Sequence, residues 1–317
     1  MNGRFLFAVL LGLSFAATGY AQGYPNKPIK LILPFPPGQV TDIVGRVYAE
    51  RMSSHLGQPI VVQNMPGASG TIGWAAATKS PPDGYTITLL NSSHAISPAL
   101  YPDLPYDPRK SFIPIALIGE TPITLVVHPS LGVKNLRAFI DLAKQRPKGI
   151  FYGSAGTGSN THLAGAYFSQ LAGVDMVHVP YKAEALATDM VAGRIQATFV
   201  PPAFLLHHIR ENRLQALAVA TREPLRNPLE LPTFNDSGLP GYFFATWYGF
   251  AAPANTPVGV IDALAKAIHQ AGQEPKLLDQ FRTLGILRRD LRAKEFEDYI
   301  RADMERLVPL MKDNAPR

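Results

Sequence analysis

Ile29-Lys30-Leu31-Ile32-Leu33-Pro34-Phe35-Pro36-Pro37-Gly38-Gln39-Val40-Thr41-Asp42 reads as an apolar strand, a proline-rich loop with one glycine, and the opening of a helix. Across residues 41–55 the apolar side chains of Ile43, Val44, Val47, Tyr48 and Met52 recur on a helical repeat. The order then repeats: residues 60–63 read as a strand, 64–70 as a turn, and a small-residue helix runs on to about Lys79. Strand, loop and helix in succession predict a parallel sheet covered by helices.

A second loop of the same kind stands mid-chain, Gly153-Ser154-Ala155-Gly156-Thr157-Gly158-Ser159-Asn160-Thr161-His162. Its glycines let the backbone approach a ligand closely. Ser154, Thr157 and Ser159 add hydroxyls, and Thr161 or Asn160 is placed to cap the helix that follows. Each loop therefore points unpaired amides and a helix N-terminus at one spot, an arrangement suited to a small anion. Between them, the strand at 85–90 ends in the polar tip Asn91-Ser92-Ser93-His94, and ligands of open α/β sheets sit at such carboxyl ends.

Two further strand-like runs, 123–127 and 245–251, bracket a block that contains the second loop. An insertion between two crossover strands predicts a bilobal hinge protein. One lobe would comprise residues 22–122 and 247–317, and the other 123–246. The amphipathic stretch from Pro257 to about Leu310 is expected to pack back on the first lobe.

Before all this comes a short basic start, an apolar stretch at 5–17 and a small-residue end at Gly19-Tyr20-Ala21, the pattern of an export signal cut after Ala21. With no cysteine, thiolate catalysis and cysteine-bound metal are excluded, and stability rests on a core drawn from 46% hydrophobic residues. The net charge of +6 is scattered rather than gathered into a basic stripe with aromatics, which argues against nucleic acid and leaves mild attraction for anions. The histidines show no metal-ligand spacing; His207 and His208 are adjacent and point apart on a helix. Neither a metal nor a cofactor is expected.

Enzyme motifs fail around the mid-chain loop on single residues. A nucleophile elbow at Ser154 needs glycine where Tyr152 stands, and a P-loop needs lysine where Ser159 follows Gly158. A dinucleotide fingerprint starting at Gly156 wants a small residue where Thr161 stands. Asp42, the first acid of its helix, is better placed to favour the helix dipole or orient the Gly38 loop than to act as a base.

The ordered landmarks Tyr24-Pro25, Pro-Phe-Pro-Pro-Gly ending in Thr41-Asp42, Leu56-Gly57-Gln58-Pro59, Pro66-Gly67-Ala68, Pro82-Asp83-Gly84-Tyr85, Gly153-Ser154-Ala155-Gly156, His162-Leu163-Ala164, His178-Val179-Pro180-Tyr181-Lys182 and Ser237-Gly238-Leu239-Pro240-Gly241 span the chain after the signal. In these the sequence resembles the Bug family, the periplasmic solute-binding proteins of tripartite tricarboxylate transporters. The resemblance implies an α/β, two-lobed Venus-flytrap fold, each lobe a mainly parallel sheet flanked by helices and the two joined by crossover strands. It implies a monomeric, non-enzymatic periplasmic receptor that delivers a small organic carboxylate to membrane transport subunits. The carboxylate would be gripped by Phe35, Pro36, Pro37 and Gly38 from one loop and Ser154, Ala155, Thr157 and Gly158 from the other, with Ser92, Ser93 and His94 contributing.

Three departures from the family pattern bear on the ligand. Gln39 stands in place of a second glycine, Ala183-Glu184-Ala185 in place of glycines, and Phe199-Val200-Pro201-Pro202 where many members carry an aspartate. Losing that acid disfavours amino acids, and an apolar wall at Phe199 to Ala203, with Phe35 and Trp247, would suit a flat or hydrophobic body. A mono- or dicarboxylate, aromatic or aliphatic, is thus expected, with an aromatic acid such as terephthalate ahead of citrate. A ligand-sensing partner of a membrane signalling kinase would use the same clamp, whereas a secreted hydrolase or other enzyme would need a nucleophile with an adjacent base in the cleft.

Overall fold

A computed structural model describes residues 23–313 apart from 158, 182, 223 and 226–228. The export signal and Gly158 therefore lie outside the described residues. The first stretch follows the expected alternation: β1 (Ile29–Leu33), α1 (Val40–Leu56), β2 (Ile60–Asn64), α2 (Thr71–Thr78) and β3 (Thr86–Asn91). β1 runs parallel to both β2 and β3. Its Leu31 and Leu33 and the Val44, Val47, Tyr48 and Met52 face of α1 share one buried cluster, as the helical repeat requires. α1 stops at Gly57, which closes it at φ 66°.

The polar tip after β3 is itself helical. α3 (Ser92–Leu100) starts there, capped by the Asn91 side chain, which accepts from the Ser93 amide. β4 (Phe112–Pro122) then carries the chain out to a second sheet. This holds β5 (Thr124–Val127), β6 (Phe151–Ser154), β7 (Val177–Pro180), β8 (Ala197–Val200) and β9 (Gln215–Val219). The helices among them are α4 (Leu136–Gln145), α5 (Asn160–Ala172), α6 (Ala183–Val191) and α7 (Leu206–Arg210). β10 (Ala245–Pro253) returns to the first sheet, followed by α8 (Val258–Ala271), α9 (Pro275–Thr283), β11 (Leu287–Arg292) and α10 (Ala293–Asp313).

The two-lobed α/β architecture matches the expectation, but both sheets are mixed rather than mainly parallel. β10 is antiparallel to β3 and β4, and β11 to β4. In the second sheet β6 is parallel to β7 and β8, whereas β5 is antiparallel to β8 and β9. The cause is the double crossing: a strand that leaves a lobe and one that comes back beside it must run in opposite senses. The outward crossing strand is β4, and the run at 124–127 already belongs to the second sheet. The two passes meet where the Ile123 amide donates to the Phe244 carbonyl at 3.2 Å.

α10 also departs from expectation. Its Phe296, Ile300 and Met304 pack with Trp74, Leu117 and Trp247 of the first lobe. Leu307, Leu310 and Met311, two turns on, are buried with Phe139, Phe168 and Tyr242 of the second. At the changeover Arg306 donates to the Phe243 carbonyl and pairs with Asp303, which in turn accepts from Trp247 Nε1 at 2.8 Å. One helix thus contributes to both cores.

Candidate anion site at the helix N-termini

The first loop is braced from beneath. Gly38, at φ 84° where only glycine is unstrained, donates its amide to Asp42 Oδ2 at 2.9 Å. Asn64, at the end of β2, donates to Asp42 Oδ1 at 2.7 Å and to the Phe35 carbonyl at 2.9 Å. Arg46 completes the ring through Asp42 and the Asn64 side-chain oxygen. Burial alone would raise the Asp42 pKa; the bonds from Asn64, Arg46 and the Gly38 amide outweigh it and hold the carboxyl below its usual value. Asp42 is therefore an ionised brace, its charge matched by Arg46.

With the Gly38 amide spent on Asp42, the donors of this loop are those of α1 itself. Gln39 is the N-cap in extended conformation but its side chain makes no capping bond. The amides of Val40, Thr41 and Asp42 take no protein partner among the described residues, which leaves a 17-residue helix with an open positive end. Pro36, Pro37, Gly38 and Gln39 are exposed around it, and Phe35 is half-buried, edge-on to Trp74.

The second loop follows the same plan. Ala155 donates its amide to Thr161 Oγ1 at 2.8 Å, and Gly156, at φ 109°, donates to Ser154 Oγ at 3.2 Å. Ser159, rather than Asn160 or Thr161, caps α5 by accepting from the His162 amide. Thr157 is exposed at the tip. Behind the loop, fully buried Ser154 lies 2.6 Å from His178 Nε2, and the His178 ring stacks on His162 at 3.9 Å between centroids. Burial first, and then the neighbouring His162, pushes the His178 pKa down to about 4; burial also lowers His162.

Both rings are thus neutral near pH 7, and the sign of the pH effect follows. Groups with folded pKa values below the unfolded ~6.5 contribute stability that is complete above that value and is lost as pH falls towards 4. Urea midpoints measured from pH 7 to 4 are expected to fall across this window. In His178→Phe the fall should shrink; an equally steep fall would refute the assignment.

The structure brings three helix starts together. Asn91, at the head of α3, reaches Thr41 in the first turn of α1 at 3.4 Å. Asn160, the first residue of α5, donates across the lobes to Ser92 Oγ at 2.8 Å and Thr246 Oγ1 at 3.0 Å. Thr41, Asn91, Asn160, His178 and Thr246 did not stand out in the sequence as ligand-site candidates. No local pattern links Asn160 to partners 68 and 86 residues away.

Other expected residues go elsewhere. Ser92 is at the junction and Ser93 beside it, but the His94 ring is turned into the first core. It lies against Trp74, Tyr106 and Phe112, with Nε2 donating to the Pro108 carbonyl, and burial lowers its pKa to about 4. Phe199 is enclosed by Tyr152, Phe168 and Tyr242, and Val200 by Val126, Leu186 and Leu205. Trp247 is fully buried against Phe296 and Tyr299. The apolar wall inferred from these residues is core, not cleft. A cavity of about 600 Å³ does open between the lobes beside α10, but its Arg289 and Arg306 are already matched by Glu120 and Asp303.

Known proteins share this sequence pattern and fold. The family described as tripartite tricarboxylate transporter family receptor matches residues 44–315. Protein BugT of Bordetella pertussis is 34% identical over 293 residues, covering 90% of each chain. A protein of R. palustris solved with adipate superposes with a TM-score of 0.73 at 30% identity, covering 91% of this chain and 97% of its own. A second, from Rhodopseudomonas palustris with bound malate, gives 0.71 at 27% identity, covering 90% and 99%.

Proposed function

The chain belongs to the tripartite tricarboxylate transporter receptor family, and from that premise we propose that it captures a small dicarboxylate between its lobes and hands it to membrane transport subunits. The observation that carries the reading is the convergence of the open α1 end with the start of α5, tied through Asn160 to Ser92 and Thr246. Helix ends and hydroxyls supply hydrogen bonds to a carboxylate, and the charge-matched Asp42 leaves the helix potential intact. With Phe199, Val200, Pro202 and Trp247 buried, the wall that placed terephthalate first shrinks to Phe35, Pro201 and Ala203. The adipate and malate held by the two structural relatives favour aliphatic dicarboxylates.

Calorimetric titration of residues 22–317 with adipate, malate, terephthalate and citrate tests this. Adipate or malate should bind more tightly than terephthalate. Thr157→Ala should weaken the best ligand by about 1 to 3 kcal/mol, the worth of a hydrogen bond to a charged group. Unchanged affinity in that variant, or tight terephthalate binding alone, would refute the reading.

The Ser154–His178 contact also bears on the hydrolase alternative. A serine nucleophile needs an accessible oxygen and an oriented, basic histidine. Here the serine is enclosed, the histidine is a weakened base, and its stacking neighbour is another histidine rather than a carboxylate. The pair instead secures the loop. Methyl esters of the same acids should remain intact in the presence of the protein.

A further inference from the structure

We propose that Asn160 couples lobe closure to ligand: its amide latches the lobes together and offers its remaining polar atom to the bound acid. This rests on the carboxylate reading above and adds the residue that reads the ligand.

The Asn160 side chain is part-buried at the head of α5, and its nitrogen holds two hydroxyls, Ser92 Oγ of the first lobe and Thr246 Oγ1 on the crossover strand β10, which pairs with β4 of the first sheet. Ser92 starts α3 and Thr246 lies on the returning strand β10, so the three residues join the second loop to both the site and the crossover. The remaining atom, Oδ1, is shut from solvent and has no protein partner among the described residues. A buried acceptor in that state is costly unless a ligand or an ordered water meets it.

Both partners being hydroxyls gives the amide a property that a carbonyl or amide partner would deny. A hydroxyl donates as readily as it accepts, so the side chain can turn over and keep both cross-lobe bonds. One orientation presents an oxygen, which accepts from a ligand hydroxyl. The other presents an NH₂ group, which donates to a carboxylate oxygen. Asn160 therefore accommodates plain and hydroxylated dicarboxylates while the lobes stay latched, and it offers nothing to a purely apolar body.

Two substitutions separate latch from ligand contact. Asn160→Ala removes both. Asn160→Asp keeps acceptors for the Ser92 and Thr246 hydroxyls but turns a fixed negative charge towards the acid. The chain has no cysteine, so dyes or spin labels can be placed at Lys79→Cys and Lys144→Cys, exposed positions just past the end of α2 and on α4 in opposite lobes.

In the ligand-free protein Asn160→Ala should lengthen or broaden the label separation, whereas Asn160→Asp should match wild type. In titrations with adipate and malate, Asn160→Ala should bind at least 10-fold more weakly and Asn160→Asp at least 100-fold. An unchanged separation in Asn160→Ala overturns the latch. Binding by Asn160→Asp within threefold of wild type overturns the ligand contact, since a merely structural role would be rescued by that variant. If wild type bound neither acid, the carboxylate reading and the ligand contact would both fall, and the separations would still decide the latch.

Discussion

Asp42→Ala is expected to destabilise the protein by about 1 to 3 kcal/mol, the cost of leaving the donors around a buried carboxylate without their acceptor. Asp42 is 2% exposed and gathers the Gly38 amide, the Asn64 amide and the Arg46 guanidinium. Without it the amides lose their acceptor, the Gly38 turn loses its anchor, and Arg46 faces the helix end uncompensated. Asp42→Asn, which keeps the shape, should cost less. The pH profile distinguishes charge from shape. Because the folded carboxyl titrates below its unfolded value of ~3.9, its contribution is complete above that pH and is lost as pH falls through the folded value. Urea unfolding from pH 6 to 2 should show this acid-side loss in wild type and not in Asp42→Asn; identical slopes would sink the assignment.

Gly73→Ala is expected to destabilise by about 2 to 3 kcal/mol, against the trend of helix propensity, which favours alanine by ~1 kcal/mol. Gly73 lies in α2, and a Cβ there would sit 2.8 Å from the Met65 carbonyl oxygen and 2.9 Å from Pro34 Cα. These are backbone atoms, so no side chain can swing aside. Relief requires moving α2 off the segment that carries Pro34 into the first loop. Weaker acid binding should therefore accompany the lower denaturation midpoint. A variant as stable as wild type, with unchanged affinity, would show that the contact yields freely.

Much of the architecture was legible because it rests on local periodicity. The repeat across residues 41–55 gives α1, the glycine loops fall between strands and helices, and the polar tip after β3 lies beside the site. The errors share a cause. Phe199, Val200 and Trp247 lie on strands buried on both faces, where an all-apolar run carries no alternation to say which side chain turns where. Reading them as a wall for an aromatic ligand assumed a facing that the sequence does not encode. His94 misled differently: polar at a strand end, it turned inward because α3 begins at Ser92 and rotates it among aromatic rings.

The amide accounting was also beyond sequence. The sequence predicts unpaired amides in both loops, yet Gly38, Ala155 and Gly156 give theirs to Asp42, Thr161 and Ser154. Short-range side chains satisfied the loops, and the helix end was left with open donors.

By itself the sequence determined the strand–loop–helix units, the glycine turns and the family, because each depends on residues near in the chain or on ordered landmarks along it. Only the tertiary structure decided which donors remain open, which aromatics are core, and that Asn160 meets Ser92 and Thr246. Those outcomes depend on register and crossing geometry, which bring together groups far apart in sequence and leave no local trace of their pairing.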